Sequence, residues 1–338
     1  MLLAGDIGGT STRLALVRVE RGRVVVVAQE KYSSQEHGSL DEIARIFGDQ
    51  HAQPIERACF GIAGPVREGR VRTSNLPWVI DAAESSAALK IPHVHLINDL
   101  EANAHGIAAL EPADLVTLHA GQPNRQGNVA ILSAGTGLGE AGGYFDGRQL
   151  RPFATEGGHT DFAPQNDLEA ELLVYLRKNV AADSAGHVSY ERILSGPGLY
   201  NVYRFLVDTG RGKEKPEIAA AIRAGDPGAA ISKAALAGSC DLCTKTMDVF
   251  VTVYGAEAGN LALKIFATGG VYIGGGIAPK IISKLREPQF LQAFFAKGRL
   301  RPVMEAMPVH VILNESAGLL GAARYAADQA GLVPPWTP

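Results

Sequence analysis

Residues Gly5, Asp6, Ile7, Gly8, Gly9 and Thr10 put a carboxylate and a hydroxyl into a glycine turn. Glycine has no Cβ, so the backbone N–H groups of such a turn can close on a bound anion. A carboxylate repels phosphate unless a cation stands between them. Asp6 therefore points to a nucleotide phosphate carried with magnesium. Ordinary turn chemistry also selects Asp and Gly, but here the pattern recurs. Gly135, Thr136, Gly137 and Gly139 follow the apolar run 129–132, and Gly274, Gly275 and Gly276 close a third cluster that opens at Gly269-Gly270. Glycine supplies 39 of 338 residues, well above its usual ~7%, and much of the excess lies in these turns.

A second group of residues suits a ligand rich in hydroxyls. Glu156-Gly157-Gly158-His159 is a flexible turn presenting a carboxylate and an imidazole, and Glu191 precedes another tight turn ending at Gly198. Asn98 and Asp99 stand where a strand over 92–97 meets a helix over 100–110. Together these side chains offer donors and acceptors to several hydroxyls. Asp99 alone also reads as a helix N-cap, and a single histidine is weak evidence of a ligand. Zinc does not fit: His159 has no HxxxH or HxH partner, and Cys240-Asp-Leu-Cys243 lacks a second pair of ligands. These cysteines read as small residues one helical turn apart. The GxGxxG match at Gly137, Gly139 and Gly142 runs into strand and turn signals where a dinucleotide site needs a helix.

The elements that must carry these residues alternate in an α/β pattern with an antiparallel start. Strands are expected at the N-terminus, 13–19, 23–28 and 57–62. A helix begins at Ser39 with a capping box to Glu42 and an apolar stripe of Leu40, Ile43, Ala44 and Phe47. Near 111–127 the chain turns polar, and a second strand–turn–strand pattern follows, with a hairpin at Asp146-Gly147. Helices are expected over 168–180, 198–208 and, as one long element, 229–266. A strand over 309–313 and a helix over 316–330 come last. The division is into a small α/β domain, 1–110, completed by 315–338, and a large α/β domain, 111–314. A hydrophobic share of 46% with 20% charged residues suits a soluble globular protein, and a net charge of −3 gives no case for nucleic acid or an acidic membrane surface. No apolar run approaches the ~20 residues of a membrane span. With a core strand at the start and no room for a signal peptide, the expected place is the cytoplasm.

In order and spacing, these stretches resemble the bacterial glucokinase family, within the actin-like, hexokinase-like ATPases. The likeness runs along nearly the whole chain. Residues 5–10 resemble its first phosphate motif, 134–139 its second and 270–277 its adenosine-side motif; 156–164 and 191–198 are specific to the family. The resemblance implies a two-lobed actin-like ATPase (ribonuclease H-like) fold with a cleft between a small and a large domain. It also implies ATP and Mg2+ as cofactors, glucose as substrate, a place in glycolysis and a homodimer. Asp99 would be the base, Asn75, Asn98, Glu156, His159 and Glu191 would hold sugar hydroxyls, and Asp6 would orient the magnesium. Ser11 departs from the asparagine common at that position, and no cysteine-rich zinc motif follows His159. Kinases of mannose, fructose or an N-acetylated hexosamine, a polyphosphate donor, and a sugar-sensing protein on the same scaffold stay open at this point.

Overall fold

The computed structural model describes residues 1–73, 76–181 and 185–336. The chain divides into two units, one of Met1–Leu115, Ala141–Ala154 and Asn314–Pro338, the other of Val116–Glu140 and Thr155–Leu313.

In the first unit, β1 (Leu2–Ile7), β2 (Ser11–Glu20) and β3 (Arg23–Ser33) form an antiparallel meander, and β4 (Arg57–Ile62) lies parallel to β1. A small ladder of β5 (Arg70–Arg72) and β6 (Val79–Asp81) follows, then β7 (His93–Asn98), parallel to β4. The five-stranded order is β3-β2-β1-β4-β7. Side chains alternate across a strand, so Leu3 and Ile7 enter one core layer and Leu2 and Ala4 the other. The helix Leu40–His51 covers the first layer with its stripe of Leu40, Ile43, Ala44 and Phe47. Ser39 caps it by accepting from the Glu42 N–H at 3.1 Å. The capping box is only half closed, because the Glu42 carboxylate takes the Gly38 N–H at 2.8 Å instead of that of Ser39. The helix Ala317–Gln329 covers the other layer through Leu319, Ala322, Ala323 and Ala326.

The other sheet has six strands: β8 (Leu115–His119), β9 (Val129–Ala134), β10 (Leu138–Phe145), β11 (Leu150–Thr155), β12 (Gly270–Gly274) and β13 (Val309–Ile312). Their order is β11-β10-β9-β12-β13-β8, with β9, β12 and β13 parallel. The core of the second unit includes the fully buried rings of Tyr203, Phe205, Phe250, Tyr254, Phe290 and Phe294.

The long helix expected over 229–266 is in fact two, Pro227–Leu236 and Asp241–Ile265. Gly238, at φ +62°, ends the first in a conformation that L side chains resist. Cys240 then caps the second, its Sγ accepting the Cys243 N–H at 3.4 Å. Among the described residues no helix is long and apolar enough to cross a membrane.

Candidate functional site

In the first unit the candidate residues stand at the carboxyl edge of three parallel strands, where α/β folds bind ligands. The turn between β1 and β2 closes with the Gly8 N–H on the Ser11 carbonyl at 3.0 Å. Buried Ser34 ties it from behind: its hydroxyl donates to the Gly8 carbonyl at 2.8 Å, and its N–H donates to that of Thr10 at 3.0 Å. Thr12 Oγ1 meets Ser34 Oγ at 3.0 Å. Nothing in the local pattern marks Ser34, because it acts across the meander. Gly5 and Ile7 lie within β1. A Cβ at Gly5 would stand 2.5 Å from Phe60, and the Ile7 side chain is in the core, so any ligand contact from these two is through backbone.

Alternation puts Asp6 on the face of Leu2 and Ala4, beneath the helix Ala317–Gln329. Its side chain is 31% exposed, with the Arg13 guanidinium at 3.8 Å. Burial pushes the Asp6 carboxyl above the usual range and Arg13 partly offsets this. Arg13 itself is fixed by donating to the Glu315 carbonyl at 2.8 Å. Gly318 leaves the carboxyl open; a Cβ there would come within 3.7 Å of it.

Asn98 and Asp99 exchange the places that a simple cap reading gives them. Asn98 is the N-cap of the helix Asp99–Ile107. Its Oδ1 accepts from the N–H groups of Leu100 at 2.9 Å and Glu101 at 3.4 Å, and its Nδ2 donates to the Gly64 carbonyl at 3.1 Å. Asp99 is the first helical residue, with Oδ1 on the Leu100 N–H at 3.0 Å. The helix dipole favours its charged form. Register pairs Asp6 with Gly61, and a Cβ at Gly61 would lie 3.8 Å from the Asp99 Cα. The fold thus brings Asp6 and Asp99 to one strand edge. Asn75 lies outside the described residues.

In the second unit, the Gly135 N–H donates to the Gly137 carbonyl at 2.8 Å, and the Gly196 N–H to the Gly135 carbonyl at 2.8 Å. Glu191 reaches this loop, its Oε2 accepting the Leu138 N–H at 3.0 Å; a Cβ at Gly137 would stand 2.5 Å from the same oxygen. Gly139 lies inside β10, so the GxGxxG match opens no helix. The Glu156 and His159 side chains are 66% and 57% exposed, with Oε2 and Nε2 4.0 Å apart. Their turn is pinned beside that of Glu191 by the Tyr190 N–H on the Thr160 carbonyl, 3.1 Å, and the Phe162 N–H on the Val188 carbonyl, 2.9 Å. Glu156, His159 and Glu191 are therefore carried on neighbouring turns. Gly275, at φ +81°, packs on the Ala134 carbonyl, which also accepts the Ile277 N–H at 3.2 Å. A cavity of about 1130 Å³ opens within this unit, lined by Gly135, Thr136, Gly196, Lys233, Gly276 and Lys280 among others.

Backbone turns fit for anions, a carboxylate poised at a helix start and acceptors for hydroxyls make up, on this mixed α/β framework, the equipment of an ATP-dependent hexose kinase. Comparison with known proteins narrows the class. The chain belongs to the glucokinase family, whose model matches residues 3–329. A glucokinase of Trichormus variabilis is 45% identical, over 97% of this chain and 99% of its own length. The crystal structure of glucokinase from an Antarctic psychrotroph matches with a TM-score of 0.84 at 32% identity, covering 97% of this chain and 98% of that one. A ROK family glucokinase from Streptomyces griseus, solved in complex with glucose and AMPPNP, shares the fold at a TM-score of 0.67 and 22% identity, over 97% and 99% of the two chains.

Proposed function

We propose that this chain transfers the γ-phosphoryl group of ATP to the 6-hydroxyl of glucose, in the cytoplasm and as a homodimer, so that glucose 6-phosphate enters glycolysis. The observation that carries the reading is the pairing of the Glu156–His159 turn with the turn of Glu191. An ATPase without a sugar substrate has no use for that hydroxyl-binding set. The two units, Met1–Leu115 with Ala141–Ala154 and Asn314–Pro338, and Val116–Glu140 with Thr155–Leu313, are read as the small and large domains of an actin-like ATPase in place of a simple division at 110 and 315.

Asp99 aligns the 6-hydroxyl and accepts its proton late, because phosphoryl transfer has a loose transition state that needs positioning more than a strong base. Asn98, Glu156, His159 and Glu191 hold the other hydroxyls, with Asn75 beside them. With the Gly8 and Gly135 N–H groups closing the two turns, the N–H groups of Gly9, Thr10, Thr136 and Gly137 are the donors proposed for phosphate. The cavity beside Gly135 and Gly276 has room for an adenosine moiety, and small-molecule sites of this kind run to ~1,000 Å³. Asp6 is a single carboxylate at the phosphate turn, a donor set that fits magnesium held mainly by phosphate and water. Magnesium, when bound there, neutralises phosphate charge.

The deciding experiment follows ADP formation from magnesium-ATP with glucose, mannose, fructose, N-acetylglucosamine or no sugar. Turnover confined to glucose is expected. Turnover with another sugar would replace the substrate, and binding of glucose without turnover would make the protein a sensor.

A further inference from the structure

Two glutamates outside the site just described are almost completely withdrawn from water. Glu140, on β10, is 2% exposed and Glu257, on the helix Asp241–Ile265, is 0% exposed. Acidic side chains are hardly ever buried so deeply without partners. Here Glu140 Oε1 and Glu257 Oε1 are both out of water with no hydrogen-bond partner among the described residues, and each carboxyl feels the other. The cations around them are few: Lys264 Nζ is 3.6 Å from Glu257 Oε1, while Lys297 Nζ donates to Asn260 Oδ1 at 2.7 Å and to the Ala256 carbonyl at 2.9 Å.

We propose that Glu140 and Glu257 are positioning residues: a carboxylic acid–carboxylate pair sharing one proton, which braces the turns of Glu156, His159 and Glu191 from behind. The inference rests on the reading that these turns hold glucose. On one side, the Glu140 carboxyl fills the space a Cβ at Gly157 would need, with its Cδ only 2.7 Å from that position. The Glu140 carbonyl accepts from Thr155 Oγ1 at 3.0 Å, and that oxygen accepts the Gly157 N–H at 3.1 Å. On the other side, Asn260 Nδ2 donates both to Glu257 Oε2 and to the Tyr190 hydroxyl, each at 2.9 Å. Tyr190 is the residue before Glu191. One buried pair therefore touches the backs of both turns.

Two interacting carboxylates, out of water, cannot both stay ionised. Burial first, and then the Glu257 charge, push Glu140 up to about 8, with Lys264 pulling the other way. Burial and the same Glu257 charge also push the Tyr190 hydroxyl up, keeping it protonated. When Glu140 loses its proton, two adjacent anions repel across the base of the turns, and the hydroxyl ligands lose their spacing.

The test is the affinity for glucose by titration calorimetry from about pH 6 to about pH 9. If only the protonated pair is competent, a group titrating near 8 weakens glucose binding about tenfold between about pH 7 and about pH 9. Glucose KM should follow, while KM for ATP stays flat. Glu140→Gln can still donate to Glu257 but cannot ionise. It should hold glucose within about threefold of the parent at neutral pH and lose the alkaline decline, whereas Glu140→Ala should bind weakly at every pH. Infrared spectra of the sugar-free protein supply a second readout, a carboxylic-acid C=O band at neutral pH that fades near pH 8. A flat glucose profile in the parent, a decline that persists in Glu140→Gln, or absence of the band each overturns the proposal. Presence of the band in a protein that turns over no sugar would instead overturn the functional reading while leaving the shared proton in place.

Discussion

Asn98 and Asp99 are adjacent, both polar and both at a helix start, yet the fold gives them different work. Three backbone partners fix the Asn98 amide and leave it one Nδ2 hydrogen for the hydroxyl that the proposed function gives it. Asp99 stands at the strand edge shared with Asp6, its Oδ1 accepting the Leu100 N–H, and its proposed work is to align a hydroxyl. Removing the Asp99 carboxyl should therefore damage the chemical step more than binding. Asp99→Ala is expected to lower kcat by about 10²–10⁴, the usual contribution of a positioned base, with glucose Kd shifted by less than about tenfold. Single-turnover kinetics alongside calorimetry separate the two effects, and near-normal kcat would remove Asp99 from its role. Asp6, Asp99, Glu156, His159 and Glu191 stand out in the sequence as candidates because charged residues beside glycine turns are seldom chosen for folding alone. The division of labour between 98 and 99 was not legible there, since a cap is set by where the backbone leaves the strand and neighbouring Asn and Asp serve equally well. Glu140 and Glu257 were invisible for a related reason: nothing local distinguishes a buried glutamate from a solvated one.

Among the elements, the helix Ala317–Gln329 carries the most exacting packing. Gly321 lies so close to the Ala102 carbonyl and the Gly106 N that no Cβ fits, and Gly106 in turn meets the Ala317 carbonyl. These contacts are with backbone, which has no rotamer by which to yield. Gly321→Ala should destabilise the protein by about 2 kcal/mol, in the overpacking range, despite the higher helix propensity of alanine. A urea titration measures this, and a gain in stability would show that the helices can separate without loss. The strand 57–62 was read to the residue, because a short apolar run closed by a glycine turn leaves little choice. The join over 229–266 failed because alanine-rich sequence favours helix throughout. The interruption depends on one positive φ at Gly238 and an unusual sulfur cap at Cys240.

For the whole molecule, composition set the class and the family match along residues 3–329 set the relatives. A ligand that binds only the folded state stabilises it by RT ln(1 + [L]/Kd), about 2.7 kcal/mol at a hundredfold excess over Kd. Glucose at that concentration should raise the melting temperature, and a sugar that is not turned over should not; scanning fluorimetry with both makes the comparison. The discontinuous make-up of the first unit was legible as an expected return of the last helix, while the grouping of Ala141–Ala154 with that unit was not foreseen. One consequence concerns biosynthesis. Leu2, Ala4, Ala15 and Val17 leave the ribosome long before Leu319, Ala322, Ala323 and Ala326, with which they share an apolar layer. Throughout translation of the residues between, that layer lacks the helix Ala317–Gln329 and has only Ala102 of the helix Asp99–Ile107 to cover it, so the nascent chain must be shielded or hurried until residue 317 and its successors arrive.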